Sequence, residues 1–381
     1  MDTREAHGSE TLLYDPLFET PPDTVIRDVP GRGFFGKAVV RKAVFILVLL
    51  LFVGGSITLS FGSLTKARFH YEQTDGGMML SEYNAEKNDV VLEVGPVFSA
   101  DGRAQTDGKV VAVRPFAVCC NETTAFILIG KDIADIPDTA FYSCTALQAV
   151  LVDPDNPHFR SADGVLYRLT DGVPTELMLY PARNDLYRAM RSLGEAQPAT
   201  AQEAAAFAAR AKALKQKSED WLSSAEQDGA QVDALPADTE RTAWTGALRY
   251  EILPGVTAIG AMAFAECETL FDVTIPEGVR SFASMCFFKC VNLRSLRLPD
   301  SAEDIGSDAF SYCAKIPEIF IPANVRRIGH HAFFGCAGVS QVAMACAEDA
   351  KPQLGQDWIP QYKRLFMHDV PVVYNAERRG D

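Results

Sequence analysis

The nine cysteines are the residues of this 381-residue chain whose type and spacing come nearest to chemistry. Those that follow one another at intervals of 23 residues are Cys267, Cys290, Cys313 and Cys336. Such thiols could form disulfides or bind zinc. No C-x-x-C pair is followed by a second pair at zinc-finger spacing, which argues against zinc. Buried thiols that fill a narrow wall and a disulfide framework stay open as alternatives.

The histidine, acidic and glycine motifs indicate no catalytic centre. His330 and His331 fill the variable positions of a repeated turn, which predicts solvated turn residues. The sequence has no G-x-S-x-G, H-E-x-x-H, Walker or dinucleotide-binding fingerprint. Asp163-Gly164 lacks the alternating oxygen ligands of a calcium loop, so it is predicted as a turn. We therefore predict a protein that is not an enzyme and has no catalytic, cofactor-binding or metal-binding residue.

A repeated sequence frame positions the cysteines. Each of the four is preceded three residues earlier by a phenylalanine, in order Phe264, Phe287, Phe310 and Phe333. An Ile-Gly pair starts five residues before three of these phenylalanines, and Leu, Val and Ile follow each cysteine at similar offsets. A fixed period of this length is typical of a leucine-rich solenoid, whose coils must stack to bury their apolar faces.

The segment after each cysteine predicts a short strand. Val273 and Ile275 alternate around Thr274, and Pro276 ends the strand. The equivalent strands are predicted at Leu296-Arg297-Leu298, Ile319-Phe320-Ile321 and Val342-Ala343-Met344. Strands of successive coils should lie side by side in a parallel sheet, about 4.8 Å apart. The phenylalanines and cysteines are then expected as ladders on the opposite wall of the coil.

The string Ile-Gly-x-x-Ala-Phe-x-x-Cys-x-x-Leu-x-x-Val-x-Ile-Pro at residues 259–276, which returns at 305–322 with Ile316 for the leucine, resembles the BspA-like leucine-rich repeats of bacterial and protist surface proteins. The departures at Phe282-Ala283 and Cys286 concern packing positions. The resemblance implies a surface protein with a binding or adhesion role. The predicted fold is an α/β-type leucine-rich repeat solenoid with one short parallel strand per coil of about 23 residues.

The chain divides into seven predicted segments. They are a cytoplasmic disordered tail at 1–42, a transmembrane helix at 43–62, a stalk and N-terminal cap region at 63–109, a first repeat block at 110–183, a helical insertion at 184–249, a second repeat block at 250–345 and a C-terminal cap at 346–381. In the first block, Phe116 with Cys119 suggests a degenerate repeat, and residues 155–181 suggest a coil that bears a hairpin. In the insertion, Phe207, Leu214 and Trp221 predict a helix packed on the solenoid.

The predicted membrane span has no charged residue between Ala43 and Gly62. About 20 apolar residues are what a helix needs to cross roughly 30 Å of hydrocarbon. The long leader before the span favours an uncleaved signal-anchor over a cleaved signal peptide. The flanking basic residues are Arg32, Lys37, Arg41 and Lys42 before the span and Lys66 and Arg68 after it. The positive-inside rule places the N-terminus in the cytoplasm and the repeats outside.

The outward side chains of the predicted strands form a candidate ligand surface. They are Asp272, Thr274, Ser295, Arg297, Glu318, Phe320, Gln341 and Ala343. The alternative is an ordinary mixed polar solenoid face. The net charge of −14 argues against nucleic acid as a partner. The first functional hypothesis is a membrane-anchored extracytoplasmic module that binds an extracellular protein or glycan. The alternatives are a structural or signalling envelope protein whose cytoplasmic tail recruits a partner, and a hydrolase sited in the insertion.

Overall fold

A computed structural model describes residues 68–98, 104–228, 239–359 and 370–378. All of them belong to the unit Gly54–Asp381, one of the two units into which the chain divides. The predicted tail at 1–42 and the predicted span at 43–62 lie outside the described residues. Within the described ranges, no helix is long and apolar enough to cross a membrane.

Short strands make up most of the regular structure, with helices between the tenth and eleventh strands. The strands before the helices are β1 (Phe69–Thr74), β2 (Gly77–Tyr83), β3 (Val91–Val94), β4 (Pro96–Phe98), β5 (Ala104–Val113), β6 (Phe126–Ile129), β7 (Ala149–Val152), β8 (Phe159–Ala162), β9 (Val165–Thr170) and β10 (Val173–Leu179). The helices are α1 (Asn184–Ser192), α2 (Ala201–Asp228) and α3 (Thr239–Ala247). The later strands are β11 (Arg249–Glu251), β12 (Ala258–Ile259), β13 (Asp272–Thr274), β14 (Ser281–Phe282), β15 (Asp304–Ile305), β16 (Ile319–Ile321), β17 (Arg327–Ile328), β18 (Val342–Met344), β19 (Gln353–Leu354) and β20 (Val372–Val373), with a short 3-10 turn at Glu348–Ala350.

The coils stack through two parallel ladders of strands. Ladder A lies before the turn of each coil and joins β10, β12, β14, β15, β17 and β19 in register. Ladder B lies after the turn and pairs β3 with β6 and β7, β11 with β13, and β16 with β18 and β20. The prediction of one strand per coil is therefore wrong for coils such as 258–280, which carry two. The isoleucines of the Ile-Gly pairs belong to ladder A, and the apolar residues after each cysteine belong to ladder B. The two ladders form two sides of each coil.

The glycine of the Ile-Gly pair is required because adjacent coils approach closely at this corner. A Cβ added to Gly306 would lie 2.6 Å from the Ser284 nitrogen. One added to Gly329 would lie 2.4 Å from the Ser307 nitrogen. Both atoms belong to backbone and cannot move aside cheaply, so the glycine sets how closely the coils can stack.

The turn of each coil places its phenylalanine in the core. The residues two before and two after each phenylalanine lie in the left-handed region, with φ between 53° and 74°. They are Met262 and Glu266, Met285 and Lys289, Asp308 and Tyr312, and His331 and Gly335. Ring centroids are 4.5 Å apart for Phe264 and Phe287, 5.2 Å for Phe287 and Phe310, and 5.4 Å for Phe310 and Phe333. The rings are nearly parallel, with interplanar angles of 6° to 10°. The predicted phenylalanine ladder is confirmed.

The cysteines form a second buried row beside the rings. The thiol of Cys290 donates to the Phe264 carbonyl at 3.0 Å, and that of Cys313 donates to the Phe287 carbonyl at 3.2 Å. Cys336 repeats the contact with Phe310. These cysteines are free and buried, so the buried-thiol alternative is correct for them and the disulfide framework is not. Burial raises the pKa of the Cys313 thiol well above its ordinary value, which keeps it protonated and unreactive.

The first block follows the same frame. The repeat at Phe141 and Cys144 lies in the predicted register, but the coil before it is shifted by two residues from the prediction. Val118, not Phe116, occupies the ring position, because its N–H donates to the Ala140 carbonyl of the next coil at 3.0 Å. The Cys144 thiol donates to the Val118 carbonyl at 3.0 Å, as the later cysteines do to phenylalanine carbonyls. Phe116 and Cys120 take the flanking left-handed positions, with φ of 60° and 54°. The prediction failed because a valine gives no aromatic signal at the core position.

The stack begins before Val110 and continues after residue 345. Tyr83 occupies a ring position, since its N–H donates to the Ala117 carbonyl at 2.8 Å, and β3 pairs with β6 in ladder B. The prediction of a stalk within 63–109 is therefore wrong for residues 69–98, because β1 to β4 belong to sheets; the strand predicted near Val90–Val94 is present. At the other end, β19 and β20 add a further coil with its turn near Trp358, whose carbonyl accepts the Phe333 N–H at 3.0 Å. The described residues 346–359 and 370–378 thus continue the repeated pairing of strands.

The hairpin and the helices are inserted into the stack, but β10 and β12, on either side of the helices, still pair with each other. The hairpin-bearing coil is confirmed, because β8, β9 and β10 are antiparallel and Asp163-Gly164 forms a turn between β8 and β9. Tyr180 then takes a ring position: its ring lies 5.0 Å from Phe264, and its carbonyl accepts the Cys267 thiol. The helices α1 to α3 therefore lie inside one coil, between Tyr180 and β11, and do not separate two repeat blocks.

Replacement of Phe310 by alanine tests the ring ladder. We expect a loss of about 3 to 5 kcal/mol in the free energy of unfolding, because the fully buried ring leaves a cavity between two stacked neighbours. Denaturant titration measures the loss. Phe334→Ala is the matched control, since Phe334 is half-buried on the outside of the turn, and a loss near zero for Phe310→Ala would show that the ladder is not core.

The thiol row predicts an alkaline loss of stability. The pKa of the Cys313 thiol is higher in the folded chain than in the unfolded chain, because burial disfavours the thiolate. The stability that this thiol contributes is therefore complete below the unfolded pKa of about 8.5 and is lost as the pH rises toward the folded pKa. Cys313→Ser keeps a donor for the Phe287 carbonyl but does not titrate in this range. Between pH 7 and pH 10 the native chain should therefore lose about 2 kcal/mol more than this variant, at about 1.4 kcal/mol per pH unit above the unfolded pKa. Urea unfolding at each pH measures both chains. Equal losses for the native chain and Cys313→Ser would contradict a buried, protonated thiol at Cys313.

Candidate functional site

The candidate surface is the outer side of ladder B in the later coils. Along β13, Val273 is buried between Asp272 and Thr274, and along β16 Phe320 lies outward between the buried Ile319 and Ile321. Of the eight predicted residues, the exposed ones are Thr274, Ser295, Arg297 and Glu318, and the half-buried ones are Asp272, Phe320, Gln341 and Ala343. We call these eight residues the open strip. Successive coils therefore bring side chains about 23 residues apart in the sequence onto one continuous face.

Ladder B is interrupted in the middle of the open strip. The strand predicted at residues 296–298 does not form a paired strand, since β13 pairs only with β11 and β16 only with β18 within the described residues. A backbone bond from the Arg294 N–H to the Phe271 carbonyl at 2.8 Å and side-chain contacts join the coils here. The Ser295 hydroxyl donates to the Asp272 carboxylate at 2.8 Å, and the Arg294 guanidinium lies 4.1 Å from the centre of the Phe271 ring.

The corresponding outer side in the earlier coils is covered by the helices. Phe126 and Ala149, paired in ladder B, point away from the solenoid core and pack in one cluster with Tyr187 of α1 and Phe207 of α2. The rings of Phe126 and Phe207 are 5.6 Å apart. The predicted helix stripe is confirmed, with Phe207, Leu214 and Trp221 all buried. Apolar outer residues thus coincide with a covered face and polar ones with an open face.

The Asp185 carboxylate fastens the helices to the coil that follows them. It is buried, with a side chain 1% exposed. It accepts hydrogen bonds from the Trp244 indole at 2.7 Å, the Thr269 hydroxyl at 3.0 Å and the Arg183 guanidinium at 3.2 Å. These donors come from α3, from a turn of the later coils and from the residue before α1. Asp185 therefore joins the covering helices to the first coil of the open face.

The two acidic side chains that most resemble a catalytic pair, Glu176 and Asp138, are held by an arginine and a backbone N–H. Burial and the charge of Asp138 raise the pKa of the Glu176 carboxyl. The Arg168 guanidinium lies 2.8 Å from Glu176 and 3.7 Å from Asp138. Asp138 also accepts the Ala261 N–H at 2.9 Å. The group clamps the hairpin to a coil, and in the described ranges no three His, Cys, Asp or Glu side chains are placed to hold a metal ion.

The helical insertion contains a groove of about 1000 Å³ between α1 and α3. Its described lining includes Ser192, Arg188 and Arg191, with Asp163 as the acidic group, and has no histidine or cysteine. Arg188 is held by the carbonyls of Ala247 and Arg249. Ser192 therefore has no histidine base among the described lining residues, as a serine hydrolase site would need.

His330 and His331 lie in a turn, as predicted. His330 is exposed, and its Nδ1 accepts the Gln356 N–H at 2.9 Å. His331 is half-buried, with its ring 5.4 Å from that of Phe334 and its Nε2 3.9 Å from the Asp357 carboxylate. Both side chains thus support contacts between turns on the side of the coil away from the open strip.

Sequence reasoning missed one residue that bears on the open strip. The Arg378 guanidinium lies 5.0 Å from the centre of the Phe320 ring. It also donates to the Leu298 carbonyl and to the Asp300 carboxylate, each at 2.7 Å. Arg378 lies 58 residues after Phe320 in the sequence and outside the repeated frame, so no pattern in the sequence relates the two.

Comparison with known families identifies the repeats. A family model described as "BspA type Leucine rich repeat region" matches six copies within residues 245–348. The predicted BspA-like repeats are confirmed for this part of the chain. No curated protein sequence matches the chain.

Solved structures similar to the chain include leucine-rich repeat proteins and a vaccine antigen. One is a leucine-rich repeat protein from Eubacterium ventriosum, with 18% identity over 58% of this chain and 42% of that chain and a TM-score of 0.39. Another is the pneumococcal vaccine antigen PcpA, with 16% identity over 71% of this chain and 54% of that chain and a TM-score of 0.46. A third is a leucine rich cell surface protein from Faecalibacterium prausnitzii, with 13% identity over 84% of this chain and 97% of that chain and a TM-score of 0.40. The chain thus spans well under two thirds of the length of the first two.

Replacement of Asp185 by alanine tests how the helices are fastened. The change leaves the buried Trp244 indole and Thr269 hydroxyl without their acceptor, while the half-buried Arg183 guanidinium keeps Ser218 and Glu219. We therefore expect a loss of about 3 to 5 kcal/mol in the free energy of unfolding. Denaturant titration and hydrogen exchange of α1 and α3 measure it. Asp304→Ala removes a carboxylate that is 44% exposed and pairs with Arg327, and it should cost less than about 1 kcal/mol. Equal losses for both variants would contradict the assigned role of Asp185.

Proposed function

We propose that the protein is a membrane-anchored, extracytoplasmic leucine-rich repeat module that binds a protein or glycan ligand through the open strip. The observation that carries the proposal is the contrast within ladder B. Its outer side is apolar and covered by the chain's own helices in the earlier coils, but mixed polar and open in the later ones. A solenoid face that the protein leaves uncovered over several coils is a suitable recognition surface.

The chemistry of the open strip suits recognition of a polar partner. It combines two acids, a guanidinium, hydroxyls and an amide with one aromatic ring, Phe320. Aromatic rings and arginines carry most of the binding energy in many interfaces. Asp272 of the strip pairs with the exposed Arg249 at 3.3 Å, and a solvent-accessible pair of this kind contributes little to folding. These residues are therefore available for contacts at small cost to stability.

The membrane anchor and orientation belong to the same proposal. The uncharged segment 43–62 has the length of a span, and the basic residues before it favour a cytoplasmic N-terminus. Protease treatment of intact cells tests this, with residue-specific antibodies to the tail and to the repeats. We expect the repeats to be cleaved and the tail to be protected. Protected repeats would contradict the orientation and, with it, an extracellular ligand.

Charge reversal at one strip residue tests the ligand surface. Arg297→Glu changes an exposed arginine within the open strip, and Arg280→Glu changes an exposed arginine on the side of ladder A, where it pairs with Glu303 at 3.4 Å. The full chain on cells is assayed against panels of extracellular matrix proteins and glycans. We expect Arg297→Glu to weaken the binding found by at least tenfold and Arg280→Glu to leave it unchanged. The absence of saturable binding in every panel, or equal losses for both variants, would reject the proposal.

A further inference from the structure

The Phe320 ring in the open strip forms part of a preformed guanidinium site. The planar cation of Arg378 lies over the ring, 5.0 Å from its centre. Its Nη2 donates at 2.7 Å both to a backbone carbonyl, that of Leu298, and to the carboxylate of Asp300. The site therefore offers a ring face, a fixed neutral acceptor and an anionic acceptor. These elements come from different coils and are held together by the stack.

An arginine fits this combination better than other side chains do. A guanidinium can stack on a ring while its in-plane N–H groups point at separate oxygen acceptors. A lysine ammonium is a compact point charge without a plane, so it cannot use the ring and both acceptors in the same geometry. A neutral or anionic sugar supplies no cation for Asp300. The site thus selects for arginine among the groups that a protein or glycan ligand could present.

The site is reached from solvent although Arg378 fills it. The Asp300 side chain is 76% exposed and that of Arg378 is 21% exposed. The segment that brings Arg378 there is anchored upstream: β20 pairs with β18, the Asn375 N–H donates to the Cys346 carbonyl at 3.0 Å, and the Ala376 N–H donates to the Met344 carbonyl at 2.9 Å. Arg378 follows the last of these bonds by two residues, so a short tether joins it to the stack. A tethered arginine of this kind competes with an external one through its effective concentration, which is in the millimolar range for short tethers.

We infer that the Phe320, Asp300 and Leu298 carbonyl site is an arginine-binding site for a polypeptide partner, and that Arg378 occupies it in the absence of that partner. The inference rests on the proposed function and names the partner as a polypeptide that presents an exposed arginine. The surrounding charge agrees with this: Glu277, which accepts the Asp300 N–H at 3.2 Å, is exposed beside the site. The net charge of the chain, −14, also favours a basic segment in the partner.

The test uses the full chain in detergent and a short probe, acetyl-Gly-Gly-Arg-Gly-Gly-amide. Probe binding is followed by saturation-transfer nuclear magnetic resonance, with probes in which lysine or citrulline replaces the arginine. We expect Arg378→Ala to bind the arginine probe about tenfold more tightly than the native chain, because the internal competitor is gone. The lysine and citrulline probes should bind at least tenfold more weakly than the arginine probe.

Second variants show whether the probe uses the assigned site. In the Arg378→Ala background, Asp300→Asn changes one exposed group and should return the affinity to the native level or below. Phe320→Ala should do the same, with folding checked by circular dichroism. Arg326→Ala is the matched control for removal of an exposed arginine, and it should leave probe binding unchanged.

The outcomes separate this inference from the proposed function. Equal probe binding by the native chain and Arg378→Ala, no effect of Asp300→Asn, or equal binding of the arginine and citrulline probes would overturn the arginine site. If the panels still show binding that depends on Arg297, the proposed function stands and only the arginine site fails. If panel binding is absent but the probe behaves as expected, the arginine site stands and the wider proposal fails.

Discussion

The constraint on which the structure depends is the fixed spacing between coils. Backbone bonds between successive turns, such as that from the Phe264 N–H to the Cys286 carbonyl at 2.7 Å, bring equivalent residues into contact once per coil. The ring centroids of Phe264, Phe287 and Phe310 are then 4.5 Å and 5.2 Å apart, close to the spacing of about 4.8 Å between paired strands. Because each coil can bury its apolar side chains only against its neighbours, the ladders and the core of adjacent coils stabilise one another.

This constraint explains how the chain tolerates a long insertion. The helices leave the stack after Tyr180 and return at β11, so ladder A stays continuous from β10 to β12. The tyrosine keeps the ring ladder intact at the site of the interruption. The insertion is then free to carry its own core, which packs on the outer side of β6 and β7. Asp185 connects that core to the next coil.

The repeated frame also separates the inside of the protein from its outside. Inner positions are fixed by packing and recur as Val, Ile, Phe and Cys, whereas outer positions vary from coil to coil. Where they are apolar, as at Phe126, the chain covers them with its own helices. Where they are polar, as at Thr274, they stay exposed. Recognition can therefore change by substitution at outer positions without disturbing the coil, which is the physical basis for placing the ligand surface there.

The sequence by itself determined the repeated frame, the solenoid, the buried phenylalanine ladder and the outward side of the later strands, because side-chain periodicity reports directly on burial. It left open whether the cysteines are buried thiols or disulfides, which the structure decided. It did not determine ladder A, the ring positions of Val118 and Tyr83, or the coil formed by β19 and β20. Backbone hydrogen bonds between coils define those positions. Such bonds form with any of several apolar side chains at the position, so no particular residue type marks it in the sequence. Only the tertiary structure decided which part of the outer face is open and brought Arg378 onto Phe320, because both depend on segments that lie outside the repeat and meet it only in the folded chain.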